Sequence, residues 1–154
     1  MIKFKKLAIL FTAMLAMNLM IADHGECRKK GYNYITVQEF KARMDAGEHE
    51  TGAMLIVTTQ TEAEYASGHL KAAYPTYARP LKSESDFEKL NPFLEIIKTN
   101  EADIIIICPR GRGGAEIPFD YFKENGIATE RMFILEDGQE AFNKAYPDDI
   151  SSGN

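Results

Sequence analysis

Hydrophobic residues fall along this chain in short runs of strand length, separated by stretches with helical spacing. Ala53–Thr58 (AMLIVT), Asp103–Ile107 (DIIII) and Arg131–Leu135 (RMFIL) are nearly unbroken apolar runs. Such runs read as strands covered on both faces. Tyr34-Ile35 and Ala72–Tyr74 read as shorter strands, the second stopped by Pro75. Between them, Val37, Phe40 and Met44 give one apolar face to a helix over Val37–Ala46. Thr36 and Glu39 supply its capping box, and Gly47 ends it. Further helices are predicted over Glu62–Ala66, ended by Gly68, and over Pro92–Lys98 with Asn91 as N-cap. Two more cover Glu116–Asn125, ended by Gly126, and Gly138–Ala145, with Ala141 and Phe142 inward. Thr76–Asp86 reads as loop. Strands alternating with helices predict an α/β domain over residues 34–147, with a central parallel sheet and helices on both faces. Residues 23–33 read as a flexible polar lead-in and 148–154 as a frayed tail.

The stretch Ile104–Ala115, IIIICPRGRGGA, concentrates the chemistry. A buried strand ends at Cys108. A loop with Gly111, Gly113 and Gly114 follows, and Pro118 requires the next helix to start close to Gly114. Ligands of parallel sheets bind at the carboxyl ends of strands, where Cys108 stands. Glycines allow backbone N–H groups to turn inward, and the helix start adds the positive end of its dipole. Arg110 and Arg112 add two cations. These features favour thiolate over thiol, so the pKa of Cys108 is expected to fall. Cys108 is the candidate nucleophile. Arg110, Gly111, Arg112, Gly113 and Gly114 are the candidate substrate-binding residues.

Composition narrows the function. With 154 residues and 45% hydrophobic content, the chain supports one core. Its net charge is -5, and residues 1–22 hold Lys3, Lys5 and Lys6 but no acid, so the rest is still more acidic. An acidic body argues against nucleic-acid binding. Two cysteines, Cys27 and Cys108, cannot form a disulfide scaffold. His24, His49 and His69 are scattered and no CxxC occurs, so no metal site is expected.

The chain opens with the basic MIKFKK, and Leu7–Ala22 is apolar except for Thr12 and Asn18. This reads as a signal peptide or, if retained, an N-terminal anchor. Both readings place the domain outside the cytoplasm, periplasmic or secreted in the first case and membrane-attached in the second.

The segments EYASGHL (Glu64–Leu70), CPRG (Cys108–Gly111) and LEDGQEAF (Leu135–Phe142), in this order, resemble those of a single-domain rhodanese, a sulfurtransferase family. Glu64-Tyr65-Ala66-Ser67-Gly68-His69-Leu70 resembles the family's EFxxGHI segment, and Cys108-Pro109-Arg110-Gly111 the start of its CxxGxR loop. Leu135-Glu136-Asp137-Gly138-Gln139-Glu140-Ala141-Phe142 resembles its closing LxGGxxAW segment. The resemblance implies a rhodanese-like fold and a persulfide carried on Cys108, with no cofactor. It implies a small anionic sulfur donor such as thiosulfate, and as acceptor a thiol, cyanide or a sulfur-accepting protein. Two departures stand out. Ile56-Val57-Thr58 lies where the family has Asp-Val-Arg, and Gly113 lies where the family has an arginine five residues after the cysteine, leaving Arg112 one position earlier. His69 is expected to fix the turn after Gly68, and Glu64 to act as a surface or turn-stabilising charge. A second reading is phosphatase or arsenate-reductase chemistry, but the arginine six residues after the cysteine in such CxxxxxR loops is here Gly114. A third is a non-catalytic sulfur carrier or protein-binding module.

Overall fold

The computed structural model describes residues 28–153. The expected signal or anchor segment, Cys27 and the rest of residues 23–27 lie outside them. Among the described residues, no helix is long and apolar enough to cross a membrane.

Five strands, β1 (Tyr34–Ile35), β2 (Met54–Thr58), β4 (Ala73–Pro75), β5 (Asp103–Ile107) and β6 (Met132–Leu135), form one parallel sheet. Its order is β1-β6-β5-β2-β4, with β5 at the centre. A central parallel strand is covered on both sides, which is why four consecutive isoleucines fit here. Ile104 and Ile106 face one core with Phe93, Ile97, Phe119 and Phe122. Ile105 and Ile107 face the other with Phe40, Leu70 and Phe142. Helices α5 (Asn91–Lys98) and α6 (Gly113–Glu124) cover the first face, and α1 (Val37–Asp45) and α7 (Gly138–Ala145) the second.

Local chemistry explains the helix ends. Thr36 Oγ1 accepts from the Glu39 N–H at 3.1 Å, and Glu39 Oε2 accepts from the Thr36 N–H at 3.0 Å. The Thr36 N–H, and after it the Thr36 hydroxyl, both donate to this carboxylate and hold it below its ordinary pKa. Helix α3 (Glu62–Ser67) carries the same box on Thr61 and Glu64.

Five expectations change. Thr76–Asp86 is not all loop: Ser83 and Asp86 form a capping box that starts α4 (Glu84–Glu88). Asn91 is not an N-cap, because the chain enters α5 through Leu90, and Asn91 Oδ1 instead accepts from the Tyr121 hydroxyl at 2.6 Å. Gly47, at φ 75, ends α1 but leads into a further short helix, α2 (Glu48–Thr51). The tail is not frayed: Ile150–Ser151 (β7) pairs antiparallel with His69–Leu70 (β3), burying Leu70 against Ile150. The lead-in is also anchored within its described part. Arg28 pairs with Glu136 and Lys29 with Glu116, while the Tyr32 ring meets Phe119 edge-on.

Helix α6 begins at Gly113, which leaves Pro118 inside it rather than in its first turn. A proline there has no N–H to give the carbonyl four residues back. That carbonyl belongs to Gly114, and the Thr59 hydroxyl donates to it at 3.1 Å. Thr59 follows β2 directly and is fully buried. The side chain thus replaces a backbone donor at the start of the helix behind Cys108. Thr59→Val should keep the shape and orphan the Gly114 carbonyl, costing about 1–3 kcal/mol. Urea unfolding measures this, and an unchanged midpoint would refute the compensation.

Candidate active site

Cys108 is the first residue beyond β5, and its thiol is free and 3% exposed. The chain reverses over Pro109–Arg112 and enters α6 at Gly113. So short a reversal needs a left-handed residue, which is Gly111 at φ 61. Gly111 lies against a second tight turn, Asp137-Gly138, where both residues have positive φ. A Cβ on Gly111 would stand 2.5 Å from Asp137 N and 2.7 Å from Leu135 O. A Cβ on Gly138 would strike the Cys108 carbonyl oxygen. Two hydrogen bonds bind the turns: Gln139 N–H donates to Cys108 O and Glu140 N–H to Pro109 O, both at 2.9 Å. The first turn of α7 thus uses its otherwise unpaired N–H groups to hold the cysteine loop.

Gly114 sets the space around the sulfur. A Cβ there would lie 3.1 Å from Cys108 Cβ and 3.3 Å from Sγ. Sγ itself lies 3.8 Å from the Arg112 carbonyl, to which the thiol can donate. Among the described residues, the N–H groups of Arg112, Gly113 and Gly114 donate to no backbone acceptor. They form the positive end of α6 beside the thiol.

A cavity of about 300 Å³ opens over Cys108, lined by Arg79, Pro109, Arg110, Arg112, Gly113 and Gly114. The structure therefore brings Arg110, Arg112, Gly113 and Gly114 together with the cysteine. Gly111 is different: it is buried, it does not line the cavity, and its α-carbon packs on Asp137 and Gly138. Its positive φ and close packing give Gly111 a structural place in the loop. Gly113 has open space where a side chain would project. His69 lies apart from the cavity lining. Its Nδ1–H donates to Tyr65 O at 2.8 Å, and its ring stacks on Tyr65 with centroids 3.6 Å apart.

Arg79 escapes the sequence reading. It sits in the irregular stretch after β4, marked only by the Arg-Pro dipeptide. Parallel pairing of β4 with β2 carries that stretch to the same end of the sheet as Cys108. Arg79 Nη1 donates to Glu64 Oε1 at 2.6 Å. Among the described residues, no group of three or more His, Cys, Asp or Glu side chains could hold a metal ion.

A family model described as Rhodanese-like domain matches residues 36–145, the span from the cap of α1 to the end of α7. The chain belongs to the rhodanese-like domain family. No curated protein matches it. Several solved structures share the fold. A protein tyrosine phosphatase of the rhodanese family from yeast has a TM-score of 0.61 at 16% identity, over 82% of this chain and 96% of that one. An As-Sb reductase from Leishmania major has a TM-score of 0.59 at 18% identity, over 76% and 80%. A rhodanese-like domain from Anabaena has a TM-score of 0.57 at 18% identity, over 77% and 78%. At these identities the likeness is one of fold.

The glycines of this rhodanese-like loop should differ in tolerance. Gly111→Ala combines a left-handed backbone with a backbone clash and should cost at least about 2 kcal/mol. Gly113→Ala should be nearly neutral. Thermal unfolding of the two variants compares them, and equal midpoints would contradict the interlocked turns.

Proposed function

We propose that this rhodanese-like domain is a sulfurtransferase working through a persulfide on Cys108. The Cys108 thiolate attacks the outer, sulfane sulfur of a donor such as thiosulfate. The new Sγ–S bond forms as the donor's S–S bond breaks, and sulfite leaves with the bonding pair. A thiol, cyanide or a sulfur-accepting protein then attacks the outer sulfur of the persulfide, and the thiolate returns. The free N–H groups at the start of α6, with Arg110 and Arg112, stabilise the charged sulfur in both half-reactions. The N-terminal pattern adds an exported location, periplasmic or membrane-anchored, to this reading.

The observation that carries the proposal is the contact at Gly114. A phosphatase or arsenate-reductase reading draws on the fold shared with the yeast phosphatase and the Leishmania reductase. It calls for an arginine fork six residues after the cysteine. That residue is Gly114, whose α-carbon faces the thiol so closely that even a Cβ would press on Sγ at 3.3 Å. Sulfur transfer needs space for one added sulfur atom and donors around it, which the cavity and the helix start offer.

Cys108→Ser should abolish thiosulfate:cyanide transfer and leave unfolding unchanged, since a hydroxyl carries no persulfide. Mass spectrometry of the wild-type chain after thiosulfate should find one extra sulfur on Cys108. Phosphatase turnover on the same sample, with no added sulfur, would establish the other reading instead.

Arg112→Ala should raise KM for thiosulfate, losing about 1.5–3 kcal/mol if a charge-assisted hydrogen bond disappears. Gly113 has neither positive φ nor a neighbour at its Cβ position, so Gly113→Arg in the Arg112→Ala background should fold and recover part of the loss. Unchanged kcat/KM in Arg112→Ala would remove Arg112 from donor recognition.

A further inference from the structure

The cavity over Cys108 has two walls. One is the cysteine loop, with Arg110 and Arg112 exposed upon it. The other is Arg79, from the stretch after β4. Among the described residues, Arg79 is the one of these three arginines whose side chain has a hydrogen-bond partner. Its backbone N–H donates to Thr59 O at 3.3 Å, and its Nη1 donates to Glu64 Oε1 at 2.6 Å. Glu64 is itself fixed, because its other oxygen accepts from the Thr61 N–H at 2.8 Å in the cap of α3. Thr59 also bonds Gly114 O through its hydroxyl, so one buried residue ties the Arg79 wall to the helix beside the thiol. Among the described residues, the other N–H groups of the Arg79 guanidinium have no protein acceptor.

We infer that Arg79 is the specificity-determining residue of this site, binding the oxyanion end of a divalent sulfur donor opposite Arg110 and Arg112. The inference rests on the sulfur-transfer reading for the identity of the donor. A guanidinium offers five N–H groups in a rigid fork. Pairing one edge with Glu64 fixes the plane and leaves the remaining donors for a second oxyanion. A planar fork held before the ligand arrives loses little freedom on binding. The Arg79–Glu64 pair is close to neutral as a unit, so its contribution is directed hydrogen bonding, while Arg110 and Arg112 supply net positive charge. A tetrahedral dianion such as thiosulfate presents several oxygens and can meet both walls at once. A linear monoanion cannot, so the site should separate donors by charge and shape.

The test uses the full chain and two readouts. The first is thiosulfate:cyanide kinetics, and the second is calorimetric binding of sulfate, an unreactive dianion, and thiocyanate, a linear monoanion, to the Cys108→Ser protein. Arg79→Ala should raise KM for thiosulfate by about tenfold with kcat changed by less than about threefold. It should weaken sulfate by about tenfold and thiocyanate by less than about threefold. Arg79→Lys keeps the charge without the fork and should recover thermal stability but not sulfate affinity. The double variant Arg79→Ala with Glu64→Gln removes the carboxylate left unpaired. If sulfate affinity returns to wild type in it, repulsion from Glu64 caused the loss and the inference falls. It also falls if Arg79→Ala lowers the unfolding temperature while KM and sulfate affinity stay unchanged. If wild type transfers no sulfur yet binds sulfate in an Arg79-dependent way, the anion site stands and the sulfur-transfer reading is what fails.

Discussion

The structure around Cys108 depends on two glycine turns that occupy each other's side-chain space. Gly111 and Gly138 both take positive φ, and each has its α-carbon where the other turn's backbone passes. No other residue type allows that approach. The hydrogen bonds from Gln139 and Glu140 to the carbonyls of Cys108 and Pro109 then lock the loop to the start of α7. The cysteine is therefore held from behind by backbone alone, and its front stays open to the cavity.

Holding from behind has a chemical use. On the proposed sulfur-transfer reading, Cys108 gains an atom when it becomes a persulfide and must not swing with it. Preorganised donors stabilise developing charge best when they need not move. Gly114 leaves room for the sulfur on the helix side, where a Cβ would crowd it, and among the described residues the first N–H groups of α6 have no backbone acceptor. Thr59 supports that helix start against the proline inside it. Three segments distant in sequence thus fix one side chain, and the exposed charges are left to the rim.

The supporting glutamates extend this scaffold outward. Glu116, in the first turn of α6, is paired by Lys29, and Glu136, beside the second glycine turn, by Arg28. The residues just before β1 therefore strap both elements that flank the cysteine loop. At the rim, Glu64 serves two ends at once, capping α3 and holding Arg79. An isolated surface ion pair contributes little to stability. This one has its carboxylate direction set by a helix cap, so its worth lies in aiming the guanidinium.

Local signals in the sequence were enough for the sheet strands, the capping box of α1 and the junction at Cys108. Apolar runs, helical spacing and N-cap chemistry are short-range codes, and they state strand or helix without reference to the rest of the chain. The same code was present at Ser83 and Asp86, where α4 forms. Asn91 misled because a good cap residue was already inside a helix continued from Leu90. Tertiary structure decided the rest. Arg79 reaches the cavity because β4 lies beside β2, and Ile150–Ser151 forms a strand because His69–Leu70 offers it an edge. It also decided which glycine carries the turn: three glycines just after the cysteine look alike in sequence, yet of these only Gly111 meets another backbone, at the Asp137-Gly138 turn, closely enough to forbid a side chain. Proximity between distant segments is a property of the assembled sheet, and no local pattern encodes it.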